Sequence, residues 1–244
     1  MMDGLRELKK VFFPVCACIS CSKPRGAGQD GLCEDCRELL FERRIPAESC
    51  ERCLSRIPRG KPCPFCQNGA MEGIRAQYAP FMYREPVRGI IHSLKFGHES
   101  LAADVLAGPM ADSLKNRDMD CIVPVPLHRT RLRERGYNQS LLLAERVSAL
   151  THIPVRAELL TRQRSTRAQS SLSHDKREEN VKDAFLANEA VQGLSVLLLD
   201  DVRTGGSTAR ACARALLDKG ACEVSLLTAA VVWDLNGQQK KGNK

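Results

Sequence analysis

Eight cysteines toward the amino-terminus fall into four CxxC pairs: Cys18 and Cys21, Cys33 and Cys36, Cys50 and Cys53, Cys63 and Cys66. Two residues between thiolates let a tight knuckle present both sulfurs to one tetrahedral zinc at about 2.3 Å, and two knuckles close a structural site. Spacers of eleven and nine residues inside the two halves suit small ribbon loops. Two zinc ions are expected. Used in sequence, the first two pairs hold one ion and the last two the other; a cross-braced arrangement, with the first and third pairs sharing an ion, fits the same spacing. A segment so poor in large apolar residues needs metal to fold, and zinc supplies on the order of 10 kcal/mol to modules of this kind. A disulfide framework and a redox-active CxxC are disfavoured, because neither a secretory leader nor a thioredoxin-like βαβ context accompanies the pairs. Cys16 is an alternative ligand to Cys18, while Cys121, Cys212 and Cys222 fall in strand or helix patterns and are expected as buried thiols.

The second chemical motif is VLLLDDVRTGGST, residues 196–208. Two acids leave an apolar strand and are followed by a Gly/Ser/Thr turn that opens a helix. Small residues let backbone N–H groups curl around an anion, Thr204, Ser207 and Thr208 offer hydroxyls, and the helix start adds about half a positive charge. Carboxylates so near a phosphate repel it unless they grip something else. A sugar with two adjacent hydroxyls, or bound Mg²⁺, is the natural partner, so Asp200 and Asp201 suit a phosphorylated ribose. The segment lacks GxxxxGK[ST], which argues against an ATPase or GTPase.

These residues need a scaffold. QNGAMEG, residues 67–73, reads as a linker, and a strand is expected from Ile74 to Tyr83. Helical spacing follows from Pro86 to Lys115 with breaks at Gly97 and Gly108. CIVPVP (residues 121–126) is a short strand, followed by an arginine-rich loop and a helix from Asn138 striped by Leu143, Val147 and Leu150. A second unit begins at Ser195: a buried strand, a turn over Asp200 to Ser207, and a helix burying Ala209, Cys212, Ala213 and Leu216 until Gly220 stops it. Glu223 to Val232 is a further strand. Strands alternating with helices call for a mostly parallel sheet with flanking helices, whose ligands bind beyond the strands' carboxyl ends.

The chain has 244 residues, 43% hydrophobic and 27% charged, with a net charge of +8. That composition excludes a disordered chain. The excess is local: residues 128–135 and 156–177 together carry +7 of it, which favours an anionic partner. No run approaches the roughly 20 apolar residues that span a bilayer, so no membrane insertion is expected. Lys9 and Lys10 before Val11 to Ile19 imitate a secretory signal only faintly, since the apolar stretch is short and holds Pro14. A cytoplasmic location is expected. The five histidines, His92, His98, His128, His152 and His174, are not spaced as a metal site.

LLLDDVRTGGST resembles the phosphoribosyl pyrophosphate (PRPP) motif of type I phosphoribosyltransferases. With the four-CxxC head, VPVPLHRTRLRERGYNQS (Val123 to Ser140) and LLTRQRSTRAQSSLSHDKREENVKDAF (Leu159 to Phe185), the chain resembles the ComF family of competence-associated proteins up to the basic tail after Asn236. The resemblance implies an α/β, type I phosphoribosyltransferase fold, mostly parallel with flanking helices, plus a small zinc-ribbon module. With the boundary at the 67–73 linker, the expected division is a double zinc ribbon (1–70), a phosphoribosyltransferase-like domain (71–235) and a basic tail (236–244). The resemblance places the 5′-phosphate of PRPP on Thr204, Gly205, Gly206, Ser207 and Thr208, and the ribose on Asp200 and Asp201 as the acids of the catalytic centre. Pyrophosphate and Mg²⁺ fall near Leu127 to Arg129 and Arg135. Gly205 stands where the commonest motif has a second threonine, removing a hydroxyl contact and keeping the backbone donors. The implied activity is a phosphoribosyltransferase of the glycosyltransferase class linked to DNA uptake and natural competence, and no residue identifies the acceptor. The polar stretch Arg162 to Asn180 is expected either as a lid that orders over the ligand or as a solvated loop. The alternative is a non-catalytic accessory factor that binds single-stranded DNA through the zinc ribbons and arginines such as Arg131 and Arg133, with Tyr137 and Phe65 as stacking residues and competence proteins as partners.

Overall fold

The structure is a computed structural model that describes residues 16–25, 30–97, 99–114, 118–163 and 184–233. In chain order the head contains β1 (Cys16–Ala17), β2 (Pro24–Arg25), α1 (Glu34–Glu42) and α2 (Pro64–Gln67). Then come β3 (Gln77–Tyr78), β4 (Phe81–Met82), α3 (Val87–Phe96), α4 (Glu99–Asp112), β5 (Cys121–Pro124), α5 (Arg129–Arg135) and α6 (Gln139–Thr151). The chain continues through β6 (Leu160–Arg162), β7 (Phe185–Ala187), β8 (Ser195–Arg203), α7 (Ser207–Asp218) and β9 (Glu223–Val231).

The central sheet has the order β3-β9-β8-β5, with β4 also on β9, and every pairing in it is parallel. Its two long strands are apolar without alternation because both faces are covered. Strand parity divides the core. Val196 and Leu198 pack with Cys121, Val123 and the inner face of α7, whereas Leu197 and Leu199 pack with Ile122 and with α3, α4 and α6. Each fully buried leucine-sized side chain contributes roughly 1.5–3 kcal/mol, so the two layers together hold the sheet. This is the parallel sheet with flanking helices expected of the type I phosphoribosyltransferase fold.

The cysteine-rich head does not stand apart from that sheet. The first half, with Cys18, Ile19, Leu32, Cys33 and Cys36, joins the layer of α3 and α4. The second, with Cys50, Cys53, Cys63 and Phe65, joins the layer of α7. One half therefore lies on each face of the sheet. The first is docked on α3 by Ser20 Oγ, which donates to the Pro86 carbonyl at 2.9 Å, and by Ser93 Oγ, which donates to Ile19. There a Cβ on Gly89 would sit 2.4 Å from the Ser20 carbonyl oxygen. Gly89→Ala forces backbone apart and is expected to cost at least roughly 1–3 kcal/mol, read as a fall of several degrees in Tm; an unchanged Tm would show that the docking is loose.

Several elements depart from the sequence reading. The turn expected over Asp200 to Ser207 begins later, because β8 runs on to Arg203 in register with β9. The Ile74 to Tyr83 strand is two short strands. The break expected at Gly108 is absent: α4 continues through it, since one glycine costs about 1 kcal/mol in a helix and Ala102, Ala103, Leu106 and Met110 are fully buried. The arginine-rich loop is helix α5, capped by the His128 ring accepting from Thr130 N–H and ended by Gly136 at φ 84°. Leu150 is 56% exposed, leaving Leu143 and Val147 as the buried stripe of α6. Cys222 is exposed as well, in the short connection before β9, whereas Cys121 and Cys212 are buried. From residue 164 to Asn180 the expected lid or loop lies outside the described residues, as does the basic tail.

Candidate functional site

The carboxyl end of β8 delivers three charged side chains in four residues. Asp200 Oδ1 accepts from Ser140 Oγ at 3.0 Å and from the Asp201 backbone N–H at 2.9 Å. Asp201 is 5% exposed; its Oδ1 accepts from Val202 N–H at 2.9 Å and its Oδ2 pairs with the Lys95 ammonium of α3. Burial, and then the neighbouring Asp201 carboxylate, push Asp200 up to about 7, against the opposing pull of the Asp201 N–H, Lys95 and Ser140. One acid is thus neutralised by a lysine while the other holds its proton close to neutral pH.

Beyond the acids the chain turns through 204–206 into α7. Gly206 is the residue before the helix and has φ 81°, a left-handed conformation that costs glycine little. No side chain among the described residues caps α7, so its first N–H groups face outward with the positive end of the helix. A small cavity is lined by Asp200, Thr204, Gly206, Ser207, Thr208 and Thr228, among others. Gly205 is half-buried between two lining residues, while Asp201 lies behind the wall on Lys95.

Arg129 and Arg135 do not line this cavity. Arg129 is exposed at the start of α5; Arg135 donates to Gln139 Oε1 and covers the Phe96 ring at 5.3 Å. The aromatic residues named for stacking are also placed otherwise. Phe65 is buried beneath the loop, and the Tyr137 hydroxyl donates to the Leu94 carbonyl. Phe96, 69% exposed, is the accessible ring near the arginines.

The thiols gather into two groups, Cys18, Cys21, Cys33 and Cys36, and Cys50, Cys53, Cys63 and Cys66, with all sulfurs of a group within 4.8 Å of one another. The pairs are therefore used in sequence and are not cross-braced, and Cys16 is in neither group. Sulfur separations of 3.7 Å (Cys21 to Cys33), 3.8 Å (Cys50 to Cys66) and 3.4 Å (Cys53 to Cys63) match the roughly 3.8 Å edge of a tetrahedron with 2.3 Å metal–sulfur bonds. Burial raises the Cys18 thiol, but backbone N–H groups of Cys21, Cys33 and Ser20 outweigh it and bring it down to about 7. Either group could hold a metal ion.

Lys95, Ser140 and Arg203 were not expected at the site. Lys95 sits beside the buried stripe Val87, Ile90, Ile91 and Leu94, where a lysine reads as an ordinary helix edge. Its partner follows only from the parity of β8, which turns Asp201 to the face already holding Leu197 and Leu199.

No family model matches the chain. The DNA utilization protein YhgH of Escherichia coli K12 is 34% identical over 223 residues, spanning 86% of this chain and 94% of that protein. The chain belongs to the ComF family. Competence protein F of Haemophilus influenzae, also similar to this ComF-family chain, is 26% identical over 229 residues, again with 86% and 94% covered. Among solved structures, glutamine PRPP amidotransferase from B. subtilis is 25% identical with a TM-score of 0.36; the match takes in 51% of this chain and a quarter, 25%, of that one.

Proposed function

We propose that this protein is a cytoplasmic, PRPP-binding member of the phosphoribosyltransferases that serves DNA uptake and competence, with structural zinc in both cysteine groups. The observation that carries the reading is the joining of an acid pair to an uncapped helix start through a glycine in left-handed conformation. Such a site offers carboxylates to a diol and backbone donors to a phosphate about one sugar ring away. The 5′-phosphate lies on Thr204, Gly205, Gly206, Ser207 and Thr208, and the ribose hydroxyls lie on Asp200 and on Asp201, whose side chain turns from Lys95 to reach the cavity. Lys95 neutralises one of two carboxylates that would otherwise repel the incoming phosphates. Pyrophosphate with Mg²⁺ lies toward Leu127 to Arg129 and Arg135, where a metal and arginines stabilise the leaving group. The names of the relatives, one for DNA utilization and one for competence, supply the link to DNA. The test is calorimetric titration of the zinc-loaded protein with PRPP and Mg²⁺: saturable binding is expected, and a folded protein that takes up no PRPP would end this reading.

A second reading, contact with single-stranded DNA, is favoured by one feature, the exposed Phe96 under Arg135, the last residue of the helix that also carries Arg129 and Arg133. Stacking on an aromatic ring with arginines on the backbone is the usual mode for single strands. Changing Arg131 and Arg133 together to alanine should reduce the salt slope of oligonucleotide binding by about 1 to 2; an identical slope would remove these arginines from the interface.

A further inference from the structure

Arg203 is a buried arginine that the proposed chemistry does not use. It is 2% exposed and stands between the acid pair and the loop. Its Nη2 donates to the Cys53 carbonyl at 2.8 Å and to Ser55 Oγ at 3.0 Å, and its Nη1 donates to the Thr204 carbonyl at 3.3 Å. The guanidinium lies 4.2 Å from the centre of the Phe65 ring, and Phe65 is flanked by Cys63 and Cys66. The far end of the loop rests on the same module: a Cβ at Gly206 would meet the Ala70 carbonyl oxygen at 3.0 Å and Phe65 Cζ at 3.6 Å.

We propose that Arg203 is a positioning residue through which metal occupancy of the Cys50, Cys53, Cys63 and Cys66 group sets the shape of the 203–208 loop. Both ends of the loop are seated on the two knuckles of that group, so the loop has this form only while the knuckles have theirs. Charge strengthens the link. Four thiolates around a divalent ion carry a net charge of about −2, which gives the buried guanidinium its counter-charge. Without the ion nothing fixes the Cys53 carbonyl and the Phe65 ring against which the guanidinium rests. Metal and loop ligand then favour the same conformation, and the coupling is reciprocal. The second half of this statement rests on reading 203–208 as the phosphate loop.

The test uses the full-length, zinc-loaded chain as wild type, Arg203→Met and Cys63→Ser. Hydrogen exchange is followed in peptides over residues 202–210, beside zinc content and PRPP titration. Arg203→Met should keep both zincs, yet exchange the loop amides about ten-fold faster and bind PRPP about ten-fold more weakly. Residues 121–124 should stay protected. Cys63→Ser should lose one zinc and loosen the same peptides. In wild type, PRPP should slow chelator-driven release of one of the two zincs, a readout that involves no variant. Wild-type protection of the loop in Arg203→Met, or a protected loop after loss of that zinc, overturns the coupling. A loop that loosens as expected in a protein that binds no PRPP instead overturns the phosphoribosyl reading and leaves the coupling standing.

Discussion

Asp200→Asn together with Asp201→Asn is expected to weaken PRPP binding by about 100-fold or more while the protein stays folded. Each carboxylate that grips a ribose hydroxyl or a Mg²⁺-bound oxygen contributes a charge-assisted hydrogen bond of roughly 1.5–3 kcal/mol, and each 1.4 kcal/mol is a factor of ten. Asparagine preserves shape and removes charge, so the loss reports on the carboxylates themselves. Calorimetric titration beside wild type reads it, and equal affinity in the double variant would dismiss both acids from the ligand.

The two single changes should move stability in opposite directions. Asp200 holds its proton up to about pH 7 in the folded chain, whereas an unfolded aspartate loses it near pH 3.9. Between these values the folded state binds more protons, so wild-type stability should fall as pH rises from about 4 to about 7. Asp200→Asn removes that slope and should raise Tm at pH 8. Asp201→Asn strips the counter-ion from Lys95, whose side chain is 26% exposed, and should lower Tm by the equivalent of roughly 1–2 kcal/mol, less than for a fully buried pair. PRPP affinity of the wild type should rise with pH through about 7 as Asp200 ionises. Melting curves across pH for the three proteins check the signs; matching shifts in the two variants would contradict the different environments of the two acids.

The sequence carried what local chemistry dictates. Four CxxC spacings specify knuckles, an apolar run ending in two acids specifies a buried strand leading to a site, and the Gly/Ser/Thr residues after it specify a turn that opens a helix. It did not carry what depends on where elements meet. The pairing of the knuckles is settled only when each half of the head finds its own face of the sheet. Lys95 reaches Asp201 across 106 positions of sequence, and nothing near either residue announces the other. Phe65 looked available because aromatic residues near basic segments often stack on bases; in the fold it is the seat of the loop. The helix over Arg129–Arg135 was missed because its cap is a histidine ring, outside the usual Ser, Thr, Asp and Asn set.

Stripping both metals is expected to lower Tm by well over ten degrees and to expose the head to protease. A whole domain is stable by about 5–15 kcal/mol, and structural zinc contributes roughly 10 kcal/mol or more to small cysteine modules, so losing both ions removes an amount comparable to the stability of the whole chain. In the described residues the head offers short helices, two-residue strands and few large apolar side chains. The damage should not stop at the head, because Cys33 and Cys36 help fill the layer of α3 and α4 and Cys50, Cys53 and Cys63 fill the layer of α7. Loss of either ion should therefore loosen one face of the sheet, with acid releasing metal as thiolates take up protons. Two zincs per chain by metal analysis, and a Tm that falls in two steps as a chelator empties the sites, is the expected pattern. A chain that melts at the same temperature without metal would mean that the cysteines are packing groups, and one zinc per chain would assign the structural role to a single face.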